Sequence, residues 1–310
     1  MPLDSAYHAP VLASEVIELL RRGRRVLDGT LGGGGHSLAL LEAGVEQVIG
    51  VDRDADALAA ASLRLHSFHD AGRFAAIESN YAHVADDPAL AGLEFDGILL
   101  DLGVSSHQFD AEARGFTFRP GVRLDMRMGN DAAATAADVL NTEDDRTLAG
   151  IFRDYGDERH ATRLAREVVR RRGTRPFATS DDFVGAIRAV LGPRSGAPEF
   201  ARLFQALRIA VNDELPGLER ALPTLRDRLS PEGILAVITY HSGEDRIVKN
   251  FFRDWSSDCI CPPKHPVCTC RGRALGETLT RRALVASDDE IIRNPRARSA
   301  KLRAWRRSAQ

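Results

Sequence analysis

Short apolar runs closed by an acid or a glycine alternate, over the first hundred residues, with stretches of helical spacing. Arg25-Val26-Leu27-Asp28, Gln47-Val48-Ile49-Gly50-Val51-Asp52, Arg73-Phe74-Ala75-Ala76-Ile77 and Phe95-Asp96-Gly97-Ile98-Leu99-Leu100-Asp101 predict strands. Residues 36–43 and 55–65 between them predict helices. Strand and helix in alternation predict an α/β fold, with a parallel sheet covered on both faces. A fifth run, 233–240, has the same character but begins 132 residues after Asp101. A crossover connection needs only about a dozen residues, so most of that interval is expected to be an insert. Helical patterns fall within it at 136–152, 159–172, 180–191 and 202–212. Loop signals at Thr174-Arg175-Pro176 and Gly192-Pro193-Arg194-Ser195-Gly196 separate them. A helix over 244–255 follows Tyr240, and antiparallel strands are expected near 280–285 and 300–306.

The first strand runs into Asp28-Gly29-Thr30-Leu31-Gly32-Gly33-Gly34-Gly35-His36-Ser37. Glycines at a strand-to-helix turn let backbone approach a ligand, and the helix start offers unpaired N–H groups. Open parallel sheets bind ligands at such carboxyl ends. Asp52 closes the second strand, placed to accept hydrogen bonds from ribose hydroxyls, and Asp101 closes the fourth. Together these three features predict a nucleoside-containing cofactor. A dinucleotide fingerprint, Gly-x-Gly-x-x-Gly, cannot be written across residues 28–40, which disfavours a nicotinamide-dependent dehydrogenase. An acid at the loop start repels a pyrophosphate and suits a cationic ligand such as S-adenosylmethionine, with its sulfonium and α-ammonium.

With these motifs in view, the chain resembles the bacterial ribosomal small subunit methyltransferase H (MraW) family. The resemblance rests on the 28–37 loop, Val51-Asp52-Arg53-Asp54, residues 96–106, Arg114-Gly115-Phe116-Thr117-Phe118, Leu124-Asp125-Met126-Arg127-Met128 and Tyr155-Gly156-Asp157-Glu158-Arg159. Phe204-Gln205-Ala206-Leu207-Arg208-Ile209, residues 241–249 and Asn294-Pro295-Arg296-Ala297-Arg298-Ser299 extend it nearly to the end of the chain. It implies a class I S-adenosylmethionine-dependent methyltransferase (Rossmann-like) sheet with an inserted helical domain. The expected division is residues 1–125 and 213–310 for the cofactor-binding domain and 126–212 for the insert. The implied reaction is methylation of the exocyclic N4 of a cytidine in 16S rRNA, at the decoding region of the small ribosomal subunit in the cytoplasm. The implied cofactor contacts are Gly34, Gly35, His36, Asp52, Tyr81, Asp101 and Gln108. A third possibility, an rRNA-binding assembly factor with a vestigial pocket, is at odds with intact Gly34, His36, Asp52 and Asp101.

Composition qualifies this picture at few points. The 310 residues, 44% hydrophobic and 28% charged, suit a folded chain of two domains or one enlarged domain. The longest apolar run, 234–238, is far short of a membrane span, and no secretory leader is apparent. The net charge of −2 argues against a nucleic-acid partner only until it is resolved by position. Seven Arg against two Glu between Glu158 and Arg175 make +5, and residues 291–310 make +7, leaving −14 for the rest. Arg159, Arg163, Arg166 and Arg170 are predicted to share a helix face opposite Ala161, Leu164, Ala165 and Val168. Both basic tracts are candidate rRNA contacts.

A cytosine amino nitrogen is a poor nucleophile, because its lone pair is delocalised into the ring. Acceptors for its hydrogens localise that pair. Asp101 is the best-placed acceptor, with cofactor binding alone as its alternative role. His241 and Asp245, after the fifth strand, are candidates to orient the base or take a proton, although Ser242 there also reads as a helix cap. Asp125 and Arg127 are further candidates for rRNA contact. Cys259, Cys261, Cys268 and Cys270 form two C-x-C pairs. That spacing is less diagnostic of zinc than C-x-x-C, so a thiol-bearing loop without metal is expected.

Overall fold

A computed structural model describes residues 10–84, 86–104, 114–261 and 269–309. Among them the chain divides into two compact units, residues 1–103 with 215–310, and residues 104–214.

The first unit is built on strands β1 (Arg25–Asp28), β2 (Gln47–Asp52), β3 (Phe74–Glu78), β4 (Phe95–Asp101) and β5 (Leu229–Thr239). These five run parallel in the order β3-β2-β1-β4-β5. Helix α1 (Ala13–Leu20) precedes β1, while α2 (Gly35–Glu42), α3 (Ala55–Arg64) and the short α4 (His66–Asp70) supply crossovers. The strands are apolar almost throughout, Val26, Leu27, Val48, Val51, Ile98 and Leu99 being fully buried, because helices cover both faces. Strand order reverses between β1 and its neighbours β2 and β4, the point where open α/β sheets bind ligands. The sheet order and direction are those of a class I methyltransferase.

The second unit contains α5 (Ala136–Thr142), α6 (Asp145–Gly150), α7 (Ala161–Arg172), α8 (Ser180–Leu191) and α9 (Ala197–Asn212). The continuous helix expected over 136–152 is broken. Asp144 caps α6 through a 2.7 Å bond from Thr147 N, and the helix ends in a π turn over Ile151–Tyr155. Stacked Phe152 and Phe183, with ring centroids 5.7 Å apart, and Phe204 form the middle of its core. Ala161, Leu164, Ala165 and Val168 are the buried face of α7, as their spacing predicts. The boundary expected at 125/126 falls instead at Gly103/Val104. Phe116 and Leu124 lie in the helical core, and Leu124 N donates to Ala178 O at 3.1 Å.

The chain re-enters the first unit through α10 (Glu214–Asp227), the crossover to β5. Helix α11 (Ser242–Trp255) follows, then β6 (Gly276–Thr278), β7 (Leu284–Val285), α12 (Asp288–Arg293) and β8 (Lys301–Arg307). Strand β8 pairs antiparallel with β5, and β6 and β7 pair with β8. Part of the basic C-terminal tract takes part in this packing. The Arg303 fork grips Asp245, Arg306 pairs with Glu277, and Arg307 donates to the Leu229 carbonyl. These contacts tie β8 to its neighbours, while Arg293, Arg296 and Arg298 of the same tract are exposed.

Candidate functional site

Asp28, Asp52 and Asp101 end β1, β2 and β4, and parallel register brings them to one edge of the sheet: Asp28 pairs with Gly50 on one side and Leu99 on the other. The glycine loop is pinned among them. Gly29 N donates to Leu99 O and Leu31 N to Val51 O, each at 2.9 Å, and Gly32 N donates to Asp52 Oδ2 at 2.7 Å. Leu31 turns back onto β2, where a Cβ at Gly50 would lie 2.6 Å from its Cδ1. Gly34 caps α2 at φ +75°, a left-handed conformation costly to other residues, and its Cβ position faces Leu65 at 3.0 Å. The first turn of α2, Gly35-His36-Ser37, is buried.

The side chains interlock around this loop. Ser37 Oγ donates to Asp28 Oδ2 at 2.7 Å, and the Asp101 N–H donates to Thr30 Oγ1 at 2.6 Å. His36 is 4% exposed, and its Nε2 stands 3.5 Å from Asp101 Oδ2. Neither ring nitrogen has a hydrogen-bond partner among the described residues, so the Asp101 contact is electrostatic. Burial alone would depress the imidazole pKa, but the Asp101 and Asp28 carboxylates outweigh it and the net shift is upward. Burial is also the largest influence on Asp28, raising its pKa against the opposing effects of His36 and Ser37. Loss of solvent pushes Asp52 up to about 6, despite hydrogen bonds from Asp54 N and Gly32 N.

Tyr240, at the end of β5, carries no signal in the sequence, yet its hydroxyl donates to Asp101 Oδ1 at 2.8 Å. Burial raises its own pKa well above the usual value, and Asp101 adds to this. Tyr81 opens a short 3-10 turn, Tyr81–His83, capped by Asn80, and lies beside the loop: a Cβ at Gly29 would sit 3.4 Å from the Tyr81 Cβ. The structure therefore gathers Gly34, Gly35, His36, Asp52, Tyr81 and Asp101 about one strand edge. Gln108 lies outside the described residues, as do residues 105 and 106 of the strand-four motif.

Two residues expected to do chemistry have other partners. His241, rather than Ser242, is the N-cap of α11, and Glu244 closes a capping box by accepting from His241 N at 3.3 Å, while also accepting from Tyr240 N at 2.8 Å. His241 Nε2 lies 3.0 Å from Glu244 Oε1, without hydrogen-bonding geometry. Asp245 receives Arg303 Nε at 2.7 Å and Nη2 at 3.2 Å, with Lys301 Nζ 3.7 Å away. Burial would raise its pKa, but Arg303 and Lys301 overcome this and hold it below the usual carboxylate range. A carboxylate so stabilised is a poor proton acceptor.

In the helical unit, Asp125 and Arg127 pair with each other at 2.8 and 2.9 Å. On α7, Arg170 and Arg171 grip Glu167 and, Arg170 first, draw its pKa down to about 2. Arg172 donates to the Leu140 and Glu143 carbonyls that end α5. Arg159, Arg163 and Arg166 remain exposed.

A family profile described as the MraW methylase family matches residues 5–308. A protein named ribosomal RNA small subunit methyltransferase H from Gemmatimonas aurantiaca is 63% identical over 300 residues, covering 97% of this chain and 95% of that protein. Proteins of the same name from Heliobacterium modesticaldum, 49% identical over 307 residues, and Anaeromyxobacter sp., 50% identical over 305, each cover 96% of this chain; they are matched over 97% and 96% of their own lengths.

Proposed function

Because this chain belongs to the MraW methylase family, we propose that it uses S-adenosyl-L-methionine to methylate the exocyclic N4 of a cytidine in 16S rRNA, at the decoding region of the small ribosomal subunit. The shared name of its relatives supports a small-subunit rRNA substrate. The observation within the chain that carries the reading is the convergence of Asp28, Asp52 and Asp101 on the glycine loop. Burial raises the pKa of both Asp28 and Asp52, so a bound cation offsets an electrostatic cost already present in the fold. The ring of His36 adds buried nitrogens without hydrogen-bond partners among the described residues. This donor set fits a cationic nucleoside better than a pyrophosphate.

The proposed binding set is Gly34, Gly35 and His36 from the loop and α2, Asp52 toward the ribose, Tyr81 beside the adenine, Asp101, and Gln108. When bound, the cofactor supplies a methyl group on a positively charged sulfur. The chain's part is to align the cytosine amino group and hold its hydrogens. Asp101 is the proposed acceptor, fixed in place by the Tyr240 hydroxyl. His241 and Asp245 act here as positioning residues, the first through its cap on α11 and the second through the Arg303 fork. The helical unit is proposed to recognise rRNA, with Arg163 and Arg166 as exposed phosphate contacts.

Incubating the protein with labelled S-adenosyl-L-methionine and isolated small subunits tests the reading. The expected outcome is label in 16S rRNA; label in neither subunits nor naked rRNA would sink it.

A further inference from the structure

The segment joining α11 to β6 takes no part in the site above, yet it gathers sulfur. The Sγ atoms of Cys259, Cys261 and Cys270 all lie within 4.8 Å of one another, and none of the three is in a disulfide. Those of Cys259 and Cys270 are 3.8 Å apart. A tetrahedral zinc ion with Zn–S bonds of ~2.3 Å sets its sulfurs ~3.8 Å from each other. That edge of a coordination tetrahedron is therefore already in place.

The backbone around the sulfurs is arranged for negative charge. Ile260 N donates to Cys270 Sγ at 3.4 Å. An N–H directed at sulfur disperses charge in metal–thiolate centres. Two ties hold the ends of the segment together. Arg271 donates to the carbonyls of Asp254 and Ser257, the latter at 3.1 Å, and Ala274 N donates to Asp258 Oδ1 at 3.1 Å.

We propose that Cys259, Cys261 and Cys270 form a structural zinc site, with a fourth donor from outside this triad. Sequence spacing argues the other way because C-x-C is less diagnostic of zinc than C-x-x-C. Folding changes the count by returning Cys270 to the first pair. Soft thiolates select zinc over magnesium or calcium. The ion staples the end of α11 to the segment entering β6, at the sheet edge away from β3. Cys268 lies outside the described residues.

The test uses the full chain, purified from zinc-supplemented medium and dialysed against metal-free buffer. About one zinc per chain is expected to survive dialysis, and to be lost in the combined Cys259→Ser, Cys261→Ser, Cys270→Ser variant. Should that variant fail to fold, cobalt(II) exchanged into the unaltered protein gives an independent reading. Thiolate-to-cobalt charge transfer with tetrahedral d–d bands supports the site. Background zinc in the unaltered protein, full zinc in a folded triple variant, or a cobalt spectrum without sulfur bands would overturn it.

Discussion

The hydroxyl of Tyr240 and the carboxylate of Asp101, 139 residues apart in sequence, meet in a 2.8 Å hydrogen bond that ties β5 to the loop edge of β4. Removing it in Tyr240→Phe leaves a largely enclosed carboxylate short of a donor. We expect a stability loss of about 1–3 kcal/mol by chemical denaturation, with weaker S-adenosyl-L-methionine binding. Unchanged stability and affinity would show the hydrogen bond to be incidental.

Asp52 provides a test with two opposed signs. Its folded-state pKa of about 6 exceeds the ordinary 3.8, so its contribution to the stability of the ligand-free protein is present below 3.8 and lost as pH rises through 6. Cofactor affinity moves oppositely, because the ionised form is the better acceptor for ribose hydroxyls. Calorimetry across that window should show binding tighten with pH, and Asp52→Asn should abolish both trends. Asp52→Ala should cost about 1–3 kcal/mol of binding near neutrality.

Breaking the Asp245–Arg303 pair distinguishes positioning from proton transfer. Both side chains are mostly buried, at 15% and 12% exposure, so Asp245→Asn strands a guanidinium. A loss on the order of 3 kcal/mol in stability is expected. The pH profile of methyl transfer should keep its shape; a lost ionisation in that profile would restore Asp245 as the proton acceptor.

Replacing Arg163 and Arg166 together by Ala should weaken rRNA binding and lower the slope of log affinity against log salt by roughly 0.7 for each phosphate left unneutralised. Cofactor affinity should hold. An unaltered salt slope would return this face of α7 to ordinary solvated surface.

Local pattern makes the sheet and its loop readable. The strand-end acids, the glycine cluster and the buried face of α7 all follow from spacings within a few residues. What escapes such reading depends on contacts distant in sequence. Nothing near Tyr240 points to Asp101, and nothing near Asp245 points to Arg303, 58 residues on. The cap on α11 falls one residue before the expected Ser242, because Ser is the commoner N-cap while His241 adopts the extended backbone that the cap requires. The basic tracts are legible in the sequence, but pairing within the fold decides which of their arginines are engaged internally, as Arg303 is by Asp245.

The most direct test of the account is the chemical identity of the product. Small-subunit rRNA methylated by the protein is digested to nucleosides, and the labelled methylcytidine is resolved by chromatography and mass spectrometry against N4-methyl, C5-methyl and 2′-O-methyl standards. The account predicts label at N4 of cytidine alone; label on ring carbon, ribose or another base would contradict it.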